Sequence, residues 1–182
     1  MNRKMALLIC VLATSTAANA EIFKLAIPTD SGFQFLWWPV LPVPKGWVHD
    51  DAASQAKGVN VLLPSGSTFD NASAVIYARA DFKPRLPSVH SLIDYIVQDK
   101  ADFTSESPSA EIFDRPNVRN GDGQTLRVVS YRLPDKRQWE LVAYGEEGDF
   151  YLLFTVSGST DANLKNAESV FYGLLAKYKK RL

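Results

Sequence analysis

Cysteine and histidine are the scarcest chemically reactive residues in this chain of 182 residues, which has one cysteine, Cys10, and two histidines, His49 and His90. Long apolar runs are missing too, since "MALLICVLA" is about half of the ~20 residues that a membrane-spanning helix needs. Charge of one sign is not in excess, because 20 basic residues balance 20 acidic ones. The composition therefore argues against disulfide scaffolds, against a membrane-embedded protein and against general electrostatic binding of nucleic acid.

The N-terminus has the three-part layout of a secretory signal. Arg3 and Lys4 precede the apolar run, and the small and polar residues "TSTAANA" follow it. We expect a signal peptide at residues 1–20, with cleavage after Ala20, and one domain at residues 21–182. Removal of the signal also removes Cys10, so the mature chain has no disulfide and no thiol chemistry. A secreted chain without disulfides fits a bacterial periplasm, and its mature part contains no predicted transmembrane segment.

Alternating apolar residues and turn signals predict eight strands and two helices. Two pairs of strands come first, then a helix, then four strands, then a second helix. The predicted strands are "EIFKLA", "GFQFLWW", "GVNVLL", "SAVIYARADF", "EIFDRPNV", "QTLRVVSYRL", "QWELVAYG" and "DFYLLFTVS". The last four are joined by short turns and must run antiparallel. The fold class is therefore α+β: an antiparallel β-sheet flanked by α-helices, an α/β/α sandwich.

Two helices are predicted from apolar residues at helical spacing. For the first we expect Ser88 as N-cap and one apolar face that includes Val89, Ile93 and Val97. For the last we expect Thr160 or Asp161 as N-cap. Its predicted buried stripe comprises Leu164, Ala167, Val170, Phe171, Leu174, Leu175 and Tyr178.

The order of these parts and several short motifs resemble the PsbP-like superfamily. The motifs are "PKGW" (Pro44 to Trp47), "GVNVLLP", "SLIDYI", "NGDGQTLRVVSY", "DFYLLFTVS" and "FYGLLAKY", and the resemblance covers residues 33–180. That group is named after an extrinsic subunit of photosystem II and includes small periplasmic proteins of bacteria. The resemblance implies a sheet flanked by helices and a non-catalytic, partner-binding role, and it transfers no functional residue.

Catalytic patterns are few. His49 is followed by Asp50 and Asp51, but successive residues of an extended chain point to opposite faces and cannot converge on one ligand. "NVRNGDG" has part of a calcium loop in Asn120 and Asp122, yet it lacks the closing glutamate, so a hairpin turn explains it better. Glu146, Glu147 and Asp149 share one predicted turn and are expected to be solvated. We predict no catalytic residue, no metal site and no cofactor.

The stretch "GFQFLWWPVLPVPKGW" is the best candidate for a binding surface. Phe33, Phe35 and Trp37 share one strand face and are expected to pack under a helix, and Trp47 is expected in the core. Prolines prevent residues 39–44 from joining a sheet. Trp38, Leu41 and Val43 are therefore the predicted partner-binding residues, with a lid folded back onto the sheet as the open alternative.

These observations favour a secreted or periplasmic, non-catalytic protein-binding or accessory function. Its most pointed form is an inhibitor or immunity protein for an envelope-targeted toxin or hydrolase, with another periplasmic or secreted protein as partner and no nucleic acid. The alternative is a small periplasmic hydrolase that uses His49 and neighbouring acidic residues.

Overall fold

The computed structural model describes residues 22–29 and 32–179. The predicted signal peptide, residues 1–20, and its cleavage site lie outside this part of the chain. None of the described helices combines the length and the apolar character needed to cross a bilayer.

Seven strands form one antiparallel sheet, and two more form a separate hairpin. The strands are β1 (Ile22–Thr29), β2 (Gly32–Pro39), β3 (Trp47–His49), β4 (Asn60–Pro64), β5 (Ala74–Phe82), β6 (Glu111–Arg119), β7 (Thr125–Leu133), β8 (Gln138–Glu147) and β9 (Phe150–Gly158). The sheet order is β3-β4-β5-β9-β8-β7-β6, and β1 pairs only with β2. The last strand, β9, therefore lies between β5 and β8 and joins the two halves of the sheet.

Three α-helices accompany these strands: α1 (Asp51–Lys57), α2 (Leu92–Glu106) and α3 (Asp161–Lys177). Residue Thr160 caps α3, because its side chain accepts a hydrogen bond from the Asn163 amide, as one of the two predicted caps. Helix α1 is not among the sequence predictions. It begins directly after β3, where the Asp50 carboxylate accepts from the Ala53 amide.

Helices α2 and α3 cover opposite faces of the sheet, so the predicted α+β sandwich is confirmed. On one face α3 buries Leu164, Phe171 and Leu174 against alternate residues of β5, β7, β8 and β9. On the other face α2 buries Tyr95 and Ile96 against Tyr131 and Tyr144. Strand β9 buries side chains on both faces of the sheet, as its uninterrupted apolar sequence predicts.

Two predictions for the first long helix are wrong. Its N-cap is Ser91, not Ser88, and its side chain accepts a hydrogen bond from the Asp94 amide. Two residues of the predicted apolar face, Ile93 and Val97, are exposed. The helix begins later than expected, and it buries Tyr95 against the sheet. A tyrosine ring can be buried like an apolar side chain when its hydroxyl has a hydrogen-bond partner.

Candidate functional site

The β1–β2 hairpin lies outside the main sheet and is attached to it mainly through Trp37. The Trp37 ring lies 5.4 Å from the Phe82 ring and 5.9 Å from the Phe150 ring, measured between centroids. The Arg85 guanidinium lies 4.5 Å from the centroid of the same ring. These contacts bury Trp37 partly, and a cavity of about 520 Å³ remains between the hairpin and the sheet.

No helix covers the aromatic face of β2, which corrects the prediction that Phe33, Phe35 and Trp37 pack together under one. Phe33 is 67 % exposed, and Phe35 is half-buried with the Lys24 ammonium 4.1 Å from its ring centroid. The prediction fails because it assumes that β2 belongs to the main sheet. Trp47 is half-buried and packs at the edge of the α3-side core.

The proline-rich connection after β2 alternates between buried and exposed residues. Trp38 is half-buried, and its indole N–H donates to the Gly58 carbonyl at 3.0 Å. The Asn60 side chain donates to the Pro39 carbonyl at 2.8 Å. Leu41 is 3 % exposed and belongs to the core, so its predicted place on a binding surface is wrong. Val43 is 46 % exposed. The segment folds back onto the sheet in part and leaves some aliphatic groups outside.

Exposed apolar side chains are concentrated in the first part of the described chain. Large hydrophobic residues with high exposure there are Phe23, Phe33, Val40, Val43 and Val48. We call these five residues the N-terminal apolar surface. Elsewhere in the described ranges such residues are Ile93, Val97 and Phe113, on α2 and the edge strand β6. Their grouping is along the sequence, because Phe23 pairs with Trp38 and Phe33 with Pro28, which puts the two phenylalanines on opposite faces of the hairpin.

The histidine region is organised around a helix cap. The ring Nδ1 of His49 lies 3.1 Å from Oδ1 of Asn60, and His49 is exposed. Asp50 uses its carboxylate to cap α1, and Asp51 lies in the first turn of that helix. His90 is exposed and precedes α2. Within residues 22–29 and 32–179, no group of three or more His, Cys, Asp and Glu side chains is placed to hold a metal ion.

The other acidic candidates are engaged in turns and contacts. Oδ1 of Asn120 accepts from the amides of Asp122 and Gln124, which forms the β6–β7 turn that the sequence predicts. Glu146 pairs with the Lys83 ammonium at 2.7 Å, and Glu147 accepts from the Tyr178 hydroxyl at 2.9 Å. Glu146 and Glu147 are therefore half-buried and paired at the end of the sheet, whereas solvated side chains were expected.

A network of tyrosines and carboxylates lies beneath α2. The Tyr131 and Tyr144 hydroxyls are 2.5 Å apart, and Tyr144 donates to Oδ2 of Asp99 at 2.5 Å. Burial raises the pKa of Asp99, although the hydrogen bond from Tyr144 acts in the opposite direction. A second branch joins the Tyr95 hydroxyl to the Asp81 carboxylate. A buried network of this kind stabilises the fold only while its members remain paired.

Glu140 is the most deeply buried carboxylate of this face, with 1 % of its surface exposed. Its Oε1 accepts from the Tyr77 hydroxyl at 3.0 Å and from the Gln138 amide at 2.7 Å. Its Oε2 is buried and has no hydrogen-bond partner among the described residues. Burial raises the pKa of Glu140, and the hydrogen bonds from Gln138 and Tyr77, together with the nearby Ser157 hydroxyl, lower it.

Sequence reasoning misses this carboxylate. In "QWELVAYG", Gln138 and Glu140 fall on one alternating set, which is typical of a strand face turned to water. The same set continues into Val142 and Tyr144, which are buried. The sequence does contain one signal: a charged residue lies on the same strand face as the buried residues that follow it. Such a position indicates a polar group at the margin of a core.

Comparisons with known proteins find similarity in fold. No family model and no curated protein matches the chain. The crystal structure of a protein of unknown function from Pseudomonas aeruginosa is similar over 87 % of this chain and 98 % of that chain, with a TM-score of 0.54 and 13 % identity. The solution structure of a cyanobacterial PsbP protein from Synechocystis covers 77 % of this chain and 82 % of its own, with a TM-score of 0.46 and 15 % identity. At 13 % identity, the similarity to the Pseudomonas structure shows a shared fold and transfers no role.

Proposed function

We propose that this chain is a secreted, non-catalytic binding protein of the bacterial periplasm, and that its N-terminal apolar surface contacts another periplasmic or secreted protein. The observation that carries the proposal is the concentration of exposed apolar residues between Phe23 and Val48. The expected signal peptide at residues 1–20 supports the periplasmic location, because a signal of this kind directs a chain to export.

The way the surface is built supports a binding role. The hairpin presents Phe23 and Phe33 on opposite faces of a two-stranded ladder, and the connection presents Val40 and Val43 next to anchored residues. Trp38 and Asn60 fix that connection through hydrogen bonds to backbone carbonyls. Side chains on a fixed backbone lose little conformational entropy when a partner covers them, so more of the contact energy is available for affinity.

The most specific form of the proposal is an inhibitor or immunity protein that occupies an envelope-targeted toxin or hydrolase. Such a protein needs a contact surface and no reactive group of its own. With 20 acidic and 20 basic residues in the chain, net charge gives no attraction to a partner of either sign, so the proposal relies on apolar contact for affinity.

The test compares two variants in partner capture from the periplasmic fraction of the native host. One carries Phe33→Ser and Val43→Ser in the N-terminal apolar surface, and the matched control carries Val97→Ser and Phe113→Ser, which are exposed elsewhere. We expect the wild type and the control to retain one specific partner after chemical cross-linking, and the first variant to lose it. Equal capture by both variants, or no specific partner of the wild type, would contradict the proposal. The same fraction should contain processed protein that begins at Glu21.

A further inference from the structure

A cleft opens on the part of the α2-side face that α2 does not cover. Its volume is about 540 Å³, and no residue of α2 lines it. The floor includes Val61 and Val75 from neighbouring strands, and Tyr77, Gln138 and Glu140 form one side. A space of this size, apolar at its base and with a few polar groups on one side, is typical of a site for a small molecule.

Glu140 and Tyr77 form the wall between this cleft and a smaller cavity of about 70 Å³ beneath α2. Gln138 lines the cleft and not the smaller cavity, so the amide that donates to Glu140 lies on the cleft side. The Ser157 hydroxyl also lies near the carboxylate, but it makes no hydrogen bond with Oε2. Glu140 therefore lines both spaces, and one of its two carboxylate oxygens lacks a donor among the described residues.

The charge of Glu140 is also unmatched. Its two hydrogen-bond donors are neutral, and within the described ranges no cation forms an ion pair with it. The guanidinium of Arg79, on β5, which is separated from β8 by β9, pairs instead with Asp81 and Asp99. A buried carboxylate without a cation is costly, so a bound cationic group with N–H donors would offset that cost.

Cationic side chains lie at the rim of the same cleft. Lys136 is paired with Glu106 at 3.2 Å, and the Lys57 ammonium lies 5.1 Å from the Phe69 ring centroid. Arg137 is exposed, and its guanidinium forms no ion pair or hydrogen bond in the part of the chain that the structure describes. Its backbone has φ of 51°, a left-handed conformation that a residue with a side chain adopts at an energetic cost. The rim thus offers a cation for an anionic group.

We propose that this cleft binds a small zwitterion of the amino-acid class, whose ammonium group donates to Glu140 and whose carboxylate pairs with Arg137. The ammonium reaches the carboxylate by replacing the Gln138 amide on the cleft side. The apolar part of the ligand contacts Val61 and Val75. This site is separate from the N-terminal apolar surface and does not depend on it.

The experiment measures binding of three matched probes to the mature protein by isothermal titration calorimetry at neutral pH. L-Leucine carries both charged groups, isoamylamine lacks the carboxylate, and isocaproate lacks the ammonium. We expect saturable binding of L-leucine, weaker binding of isoamylamine, and the weakest binding of isocaproate. Absence of saturable L-leucine binding, or isocaproate binding as tight as that of L-leucine, would overturn the proposal.

Two variants locate the ligand. Glu140→Gln keeps the shape of the side chain and removes its charge, so L-leucine affinity should fall by about ten- to a hundred-fold, as expected for a hydrogen bond to a charged group. Glu111→Gln makes the same chemical change at an exposed position of β6, outside the cleft, and should bind as the wild type does. Retained affinity in Glu140→Gln would place the ligand elsewhere.

Arg137→Gly keeps the proposal testable if the first variant loses its fold. Glycine adopts a positive φ without strain, so the thermal midpoint should stay the same or rise. L-Leucine should bind about ten-fold more weakly, whereas isoamylamine, which has no carboxylate, should be unaffected. An equal loss for both probes would contradict the assigned orientation.

Discussion

The two faces of the sheet differ in what they bury. Beneath α3 the core is made of aliphatic and aromatic side chains such as Phe154, Phe171 and Leu152, and the Tyr178 hydroxyl bonds to Glu147 at the edge. Beneath and beside α2 the sheet buries Glu140, and Asp99 of α2 is half-buried against Tyr144, with cavities next to both carboxyls. One face therefore carries close apolar packing, whereas the other buries polar groups, and one oxygen of Glu140 has no partner among the described residues.

The largest expected effect lies on the α3 side. Phe171→Ala should lower the free energy of unfolding by about 3 to 5 kcal/mol, because it removes a ring of 0 % exposure from a close-packed core and leaves a cavity. Val97→Ala on α2 is the control, since that side chain is 61 % exposed and should cost less than about 0.5 kcal/mol. Urea unfolding measures both. Similar losses would mean that the two helices pack alike.

An intermediate effect is expected from the hydroxyl network. Tyr144→Phe leaves Asp99 and the Tyr131 hydroxyl without their shared partner, and should cost about 1 to 3 kcal/mol. Tyr151→Phe is matched to it, because this buried ring makes no hydroxyl hydrogen bond within the described residues. Urea unfolding of both variants measures the difference. An equal cost for both would show that the rings, not the hydroxyls, stabilise the α2 face.

The smallest effect concerns Glu140 and depends on pH. Since burial raises the pKa of Glu140, the folded state holds its proton more tightly than the unfolded state does. The contribution of Glu140 to stability is therefore greatest below the ordinary carboxyl pKa and falls as pH rises through the raised pKa. Glu140→Gln should lack this fall, so the variant should gain on the wild type across that window.

Urea unfolding at a series of pH values checks this expectation, with Glu111→Gln as the control. The Glu111 carboxylate is exposed and pairs with Arg132 at 3.7 Å, a surface contact that contributes little to stability. Asp99, whose pKa is also raised, is present in all three proteins, but its charge helps to raise the pKa of Glu140, so the measured difference reports the two carboxyls together. Parallel pH profiles for Glu140→Gln and the wild type would mean that the Glu140 carboxyl is solvated in the folded protein.

The sequence is sufficient to predict most strands, both long helices and the α3-side stripe, because apolar residues on that face follow strict periods of two and 3.6. It is not sufficient for the α2 face. There Tyr95 and Glu140 are buried, whereas the aliphatic Val97 is exposed, so polarity no longer reports burial. The position of the hairpin is also not predictable, since local pairing of β1 with β2 says nothing about the larger sheet.

The candidate surface was predicted in part. Exposure of Val43 agrees with the expectation that prolines keep the segment out of the sheet, whereas Leu41 turns into the core. Residues of this connection are not held in a regular strand ladder. Whether a side chain points to the core or to solvent is therefore set by tertiary contacts, such as the hydrogen bond from the Asn60 side chain to the Pro39 carbonyl.

The central position of β9 has a consequence for the order of folding. Residues 74–82 meet their partner strand only when residues 150–158 have been added to the chain. Pairing over such a sequence distance is slow, so the meander β6–β8 should gain hydrogen-exchange protection before β4 and β5 do. The two halves of the sheet can form separately, but they are joined only when β9, the penultimate element of the chain, is present.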